Sequence, residues 1–288
     1  MSATTNRMAG EGPVLVTGSS GTTGSRLTAQ LTARGVAVLT ANRAGEGPAG
    51  TRPARFDWHD PTTHPGVLAG VERMYLVPPT GDPDPSAVML PFLELARHTG
   101  VRRVVLLSNA PTPAGGPGPG LVHQAISEMF DQWAVLRPSW FMQNVTGEHP
   151  HARMIRRTST IVTATGDHRV GFIDAGDIAR VGVEAMLAPE ALNTDLILTG
   201  PQALSYADMA SVLSEASGRA ITHVPVASEE VPARYEAIGV PARSAQFLAL
   251  MDMVIASGSQ DWTTDTVERV TGTPARTLGA FAAAEFRT

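Results

Sequence analysis

The chain has 288 residues, room for one large domain or two lobes, and its 43% hydrophobic and 17% charged content is that of a globular protein. A net charge of −5 argues against a nucleic-acid partner held by its phosphates, and no apolar run is long enough to span a membrane. Cysteine is absent and all 22 basic residues are arginine, which excludes disulfides, thiolate chemistry, Schiff bases and any lysine beside a catalytic tyrosine.

Residues 1–12 are small and polar and read as a flexible tail. Val14-Leu15-Val16-Thr17 then reads as a strand running into Gly18-Ser19-Ser20-Gly21-Thr22-Thr23-Gly24, with an amphipathic helix (Leu27, Leu31) behind it. Strand, glycine-rich turn and helix in this order predict a dinucleotide site. Gly18 permits a tight turn, Gly21 lets the backbone approach a pyrophosphate, and Gly24 lets the helix pack closely on the strand. The helix N-terminus offers unpaired N–H groups to the anion.

A second strand is predicted at Val36–Thr40, where such folds select their cofactor. An acidic residue there accepts hydrogen bonds from a ribose 2′-hydroxyl. Here Asn42-Arg43 stands instead, and a guanidinium pairs with a 2′-phosphate, so NADP(H) is expected over NAD. Residues 45–53 are rich in Pro and Gly and predict a loop, and Phe56-Asp57-Trp58 reads as the end of a third strand. Asp57 has two readings, acceptor from an adenine amino group with Trp58 packing nearby, or a helix cap. Met74–Val77 is a fourth strand closed by Pro78-Pro79, a helix covers 85–98, and Val101–Leu107 is a fifth strand ending in Ser108-Asn109. Strands alternating with helices predict a doubly wound parallel α/β sheet of Rossmann type, with ligands outside the carboxyl ends of the strands. Residues 111–120 are a Pro/Gly-rich loop at that edge, either a lid or a passive connection. A helix at Leu121–Phe130 and a sixth strand at Trp133–Leu136 follow.

The glycine-rich turn, Arg43, Leu76-Val77-Pro78-Pro79 and the segment Leu136-Arg137-Pro138-Ser139-Trp140-Phe141-Met142-Gln143-Asn144 together resemble the NmrA-like atypical short-chain dehydrogenases/reductases. Within that family the likeness is to the festuclavine dehydrogenase group of ergot alkaloid biosynthesis and its actinobacterial relatives. It extends from Val14 to Phe286. The resemblance implies an NADP-dependent reductase, or a non-catalytic NADP sensor, with a smaller C-terminal substrate lobe. It implies cofactor contacts from Val77, Pro78, Pro79 and Ser108, and substrate contacts from Asn109, Trp140, Phe141 and Asn144; core packing is the other reading of the two aromatics.

The expected organisation is a tail (1–12), a cofactor-binding core (13–150), and a substrate lobe (151–288) with some segments returning to the core. Thr160–Thr163 reads as a strand, 166–174 as a hairpin-like excursion, and Asp174 and Asp177 as architectural residues at the start of a helix through Met186. Two long helices, 233–257 and 265–286, are expected to end the chain.

None of the three tyrosines (Tyr75, Tyr206, Tyr235) is followed by a lysine, so the Tyr-x-x-x-Lys acid of ordinary short-chain dehydrogenases is missing. Hydride transfer needs an electrophile held at about 3–3.5 Å from the donor, and an iminium carbon needs no proton for that step. The sequence therefore predicts reduction of an imine, iminium or activated C=C (quinone or enone), and the resemblance implies a place in secondary metabolism. An NADP-sensing regulator and a non-redox isomerase or cyclase are the alternatives. His123 is the candidate general acid, with a surface histidine as the other reading. His149 and His151 lack a third ligand at convincing spacing, so no metal is expected. The remaining expectations are a small-molecule substrate, no membrane, a cytoplasmic location, and a monomer or homodimer.

Overall fold

The computed structural model describes residues 12–82 and 84–286, so the expected tail lies outside the described residues except for Gly12. The chain divides into two compact units: residues up to Pro138 with Ile178–Ile197, and Ser139–Asp177 with residues from Leu198 onward. In chain order the elements are β1 (Val14–Thr17), α1 (Thr22–Ala33), β2 (Val38–Asn42), β3 (Arg52–Arg55), α2 (His64–Leu68), β4 (Arg73–Leu76) and α3 (Ser86–His98). Next come β5 (Arg103–Leu107), α4 (Pro119–Met129), β6 (Gln132–Pro138), α5 (Pro150–Thr158), β7 (Thr160–Thr163), α6 (Ala175–Leu187) and β8 (Thr194–Leu198). The chain closes with α7 (Tyr206–Ser217), β9 (Thr222–Pro225), α8 (Val231–Glu236), α9 (Ala242–Ala256), α10 (Thr266–Thr271) and α11 (Leu278–Glu285).

The first unit holds a seven-stranded sheet in the order β3-β2-β1-β4-β5-β6-β8, and the pairs from β3 through β6 are parallel. Its central strands are continuous apolar runs, as a sheet covered on both faces requires. All of β1 is buried, as are Val104–Leu106 and Ala134–Leu136. The third strand departs from the expectation: it is Arg52-Pro53-Ala54-Arg55, and Phe56-Asp57-Trp58 lies beyond its carboxyl end. An Arg/Pro strand has no apolar alternation to reveal it. It exists because it is the sheet edge, where Pro53 needs no outward partner and the ladder to β2 (Leu39 opposite Arg52, Asn42 opposite Arg55) supplies the order.

In the second unit β7 and β9 pair in parallel, Thr160 opposite Thr222. Phe172, Tyr206, Leu213 and Phe281 are fully buried in its core. The excursion at 166–174 is no hairpin. Val170 bridges antiparallel to Leu204, and Ile173 bridges parallel to Phe141. Asp174 is buried and accepts from Gly176 N–H (2.7 Å), Gln143 Nε2 (2.8 Å) and an Arg276 guanidinium nitrogen (2.7 Å). These donors outweigh burial and hold its carboxyl below the usual value. The two long terminal helices are each broken in two. Gly239 (φ +80°) and Pro241 separate α8 from α9, and Gly272 (φ +69°) with Pro274 separates α10 from α11. A left-handed glycine followed two residues later by proline is a helix stop that apolar spacing alone does not show.

A polar string runs through this second core. His151 Nδ1 lies 2.6 Å from Tyr235 Oη, which donates to Val162 O at 2.9 Å, and Tyr206 Oη lies 3.4 Å from His151 Nε2. Because Tyr235 already donates its proton, Nδ1 is the donor and Nε2 the acceptor, and the imidazole is neutral. Burial agrees, lowering His151 well below 6.5 and His149 to about 4. Asp252, on α9, is buried with Oδ2 accepting Ala164 N–H at 2.8 Å, and burial pushes its carboxyl up to about 7.

The signs differ. The depressed histidines contribute stability that is complete above their unfolded value near 6.5 and lost as pH falls toward their folded values. Asp252 contributes stability present below its unfolded value near 3.8 and lost as pH rises through about 7. Asp252→Asn keeps a carbonyl for Ala164 and cannot ionise. In urea unfolding it is expected to be more stable than the parent by about 1–3 kcal/mol near pH 8, with the gain shrinking toward pH 5. A gain independent of pH would contradict this.

Candidate dinucleotide-binding site

Strand order reverses between β1 and β4, the switch point at which open α/β sheets bind ligands beyond their carboxyl ends. A cavity of about 720 Å³ lies there, within the range of small-molecule sites. It is built from the segments that follow β1 (Gly18–Gly21), β2 (Asn42, Arg43, Glu46), β3 (Asp57, Trp58) and β4 (Val77, Pro78, Pro79). Four strand ends that are remote in sequence supply its walls.

The glycine-rich turn has the geometry that a pyrophosphate needs. Gly18 sits at φ +59°, and a Cβ there would stand 3.0 Å from Val77 Cβ. A Cβ on Gly24 would stand 2.3 Å from Gly18 O, so the helix can approach the turn only as glycine. Helix α1 starts after Gly21 with no side-chain cap, which leaves its first-turn amides to an outside acceptor. Ser20 and Gly21 are exposed on the cavity wall, whereas Thr23 and Gly24 are buried in the helix packing and Thr22 opens the helix. The residues present thus fit a dinucleotide phosphate.

At the end of β2, Asn42 Nδ2 donates to Ser19 Oγ at 3.0 Å and to Glu46 O at 2.6 Å, while Oδ1 accepts Glu46 N–H at 3.3 Å. Arg43 beside it is exposed, lines the cavity and makes no ion pair among the described residues. Asp57 spends Oδ1 on the His59 N–H at 3.0 Å, a local turn; its Oδ2 has no partner among the described residues. Trp58 is a strut. Its ring packs edge-on to Phe56 (4.8 Å) and Phe92 (5.2 Å), and its indole N–H donates to Val77 O at 3.0 Å. Thr17, buried at the end of β1, accepts Val77 N–H at 2.8 Å and donates to Tyr75 O at 3.3 Å. Val77 is therefore held through both its N–H and its C=O.

Other expected residues lie elsewhere. Ser108 and Asn109 follow β5 but do not line this cavity. The Ser108 hydroxyl is buried without a partner, and Asn109 Oδ1 accepts from Thr112 at 2.7 Å. His123 is on the buried face of α4, its ring 6.0 Å from Trp133. Burial lowers its pKa, so the imidazole stays neutral and enclosed, and nothing in this geometry supports the expected proton donor. Trp140, Phe141 and Asn144 belong to the second unit, where Trp140 packs on the core and Asn144 lies in a 3-10 turn, Met142–Val145. Thr17, Glu46 and Arg137 have roles here that their sequence context does not assign. Arg137 binds Asp195 Oδ2 at 2.5 Å and Ala110 O at 2.6 Å, pinning the backbone after β5. A threonine just before Gly18 was a visible signal; the long-range partners of Arg137 were not. Among the described residues no cluster of three His, Asp or Glu is placed to hold a metal, and no helix is long and apolar enough to cross a membrane.

The reversal of strand order, the glycine-rich turn entering a helix and the cavity between them define a Rossmann-type dinucleotide-binding protein. No family model matches the chain. It is 41% identical over 95% of both chains to an uncharacterised oxidoreductase, YesF, of Bacillus subtilis. It is 34% identical to the agroclavine dehydrogenase of Claviceps fusiformis, covering 93% of this chain and 95% of that one. Among solved structures, the triphenylmethane reductase of Citrobacter sp. complexed with NADP(H) superposes with a TM-score of 0.79 at 21% identity, covering 95% of this chain and 99% of that one. The chain belongs to the NmrA-like atypical short-chain dehydrogenase/reductase family.

Gly24→Ala is expected to cost about 1–3 kcal/mol in urea unfolding, because backbone rather than a flexible side chain must yield. Gly66→Ala, in α2 with open space around it, should be neutral or slightly stabilising and serves as the control.

Proposed function

We propose that the chain is an NADPH-dependent reductase of an imine, iminium or activated C=C substrate, in the manner of secondary metabolism, working without a Tyr–Lys acid. One observation carries this reading: the chain has no lysine, and all three of its tyrosines are buried. Burial pushes the Tyr75, Tyr206 and Tyr235 phenols up, making each a poorer acid than a free tyrosine. A ketone needs its oxygen protonated as it is reduced; an iminium does not, and a quinone or enone takes its proton from water. The names of relatives, agroclavine dehydrogenase and NAD(P)H azoreductase among them, point to redox chemistry at nitrogen-containing substrates.

Bound NADPH supplies the hydride. The residues of the chain bind and orient: the α1 amides and Gly18–Gly21 take the pyrophosphate, Arg43 takes the 2′-phosphate, and Pro78-Pro79 stiffen the wall beyond β4. Asp57 Oδ2 is the acceptor available to an adenine amino group. Ser108, after β5, is the remaining proposed cofactor contact. Asn109, Trp140, Phe141 and Asn144 are the proposed substrate contacts.

The test is NADPH consumption by the purified protein with matched iminium, quinone and simple ketone substrates. Turnover of the first two without the third is expected. Ketone reduction alone would overturn the reading, and tight NADPH binding with no turnover would favour an NADP-sensing regulator. Arg43→Ala should raise KM for NADPH about 10- to 100-fold and leave KM for NADH and kcat nearly unchanged.

A further inference from the structure

Arg43 is exposed and has no ion-pair partner among the described residues, so its own side chain cannot fix its place at the cavity. The residue before it does. Asn42 O accepts from Gly45 N–H (3.1 Å) and Phe56 N–H (2.8 Å). Its carboxamide donates to Ser19 Oγ and Glu46 O and accepts from Glu46 N–H. Five hydrogen bonds thus join the end of β2 to the glycine-rich turn, to the far end of the turn carrying Arg43 (Gly45 and Glu46), and to the segment after β3. Only an amide satisfies the side-chain set, since a carboxylate cannot donate to Ser19 and Glu46 O, and an aliphatic group does neither.

The clamped turn carries two side chains of opposite charge, Arg43 and Glu46, and both line the cavity. A 2′-phosphate is attracted by the guanidinium and repelled by the carboxylate. A free 2′-hydroxyl donates to a carboxylate and gains little from the guanidinium. Small shifts of this turn therefore trade one preference for the other, while the pyrophosphate contacts at Gly18–Gly21 are common to both cofactors. We propose that Asn42 is a positioning residue for cofactor selectivity: tying the 43–46 turn to Ser19, it presents Arg43 to the 2′ position ahead of Glu46. The proposal rests on the reading of Arg43 as the 2′-phosphate partner.

The test is calorimetric titration of NADP+ and NAD+ onto the full chain and its variants, read as the ratio of the two Kd values. Asn42→Ala should lower the preference for NADP+ about 5- to 20-fold, almost entirely through the NADP+ Kd. Ser19→Ala, which removes the acceptor at the far end of the clamp, should move the ratio the same way by less; any effect of Ser19 on the shared pyrophosphate alters both Kd values alike and cancels in the ratio. Should Asn42→Ala fail to fold, Ser19→Ala carries the test. In an Arg43→Ala background, Asn42→Ala should change the ratio by less than about twofold, because the residue acts through Arg43. Equal weakening of both cofactors by Asn42→Ala would make it a general support of the fold and overturn the proposal. A ratio that collapses in Arg43→Ala but is untouched by Asn42→Ala and Ser19→Ala would overturn it while leaving the Arg43 reading intact. A ratio unchanged in Arg43→Ala would remove that reading and the proposal with it.

Discussion

The cavity depends on one tie between strands. Thr17 closes β1 with a buried hydroxyl that accepts the Val77 N–H and donates to Tyr75 O, joining β1 to β4 where the strand order reverses. With the Val77 carbonyl held in turn by the Trp58 indole, the peptide facing the glycine-rich turn has no freedom to drift. The turn exploits that rigidity, since Gly18 stands so close that a single added carbon would press on Val77 Cβ at 3.0 Å. A switch point is a topological fact; a preorganised switch point needs these hydrogen bonds. Removing the Thr17 hydroxyl would take away the partner of the Val77 N–H, and an unmade hydrogen bond is the expensive outcome.

Charge is then distributed with economy around that frame. Most arginines in the first unit are engaged: Arg103 donates to Met186 O and Ala188 O, Arg137 to Ala110 O and Asp195, and Arg34 to Glu184. Arg43 has no such partner among the described residues and stands on the cavity wall. The planar fork of a guanidinium pairs with a phosphate dianion better than with a hydroxyl, which is the physical basis of the role proposed for Arg43. The absence of lysine has the opposite effect on proton chemistry. The three tyrosines are buried in strand β4 and in the second core, so no phenol stands exposed beside an arginine as a proton donor.

The first half of the fold was legible because its signals are local. Strand–glycine turn–helix follows directly from residues 14–31, and continuous apolar runs at β4, β5 and β6 announce a sheet covered on both faces. The third strand was not legible, since an edge strand of Arg, Pro and Ala draws its order from the neighbouring ladder and not from its own pattern. The terminal helices misled for a different reason. Apolar residues continue on either side of Gly239 and Gly272, yet the backbone there turns left-handed and the prolines that follow have no N–H to continue the preceding helix.

Within the site, the sequence by itself determined the glycine-rich turn, the arginine at the end of β2 and the absence of a lysine-assisted acid, because each is a matter of residue identity at a short, fixed spacing. Only the tertiary structure decided which neighbours these residues have. It folded His123 inward against Trp133 and turned Trp58 into a strut for Val77. It also made Asn42 the point where the end of β2, the glycine-rich turn and the segment after β3 meet. Burial and long-range hydrogen bonding depend on which strands become neighbours, and that is a property of the whole packed sheet that no stretch of chain carries alone.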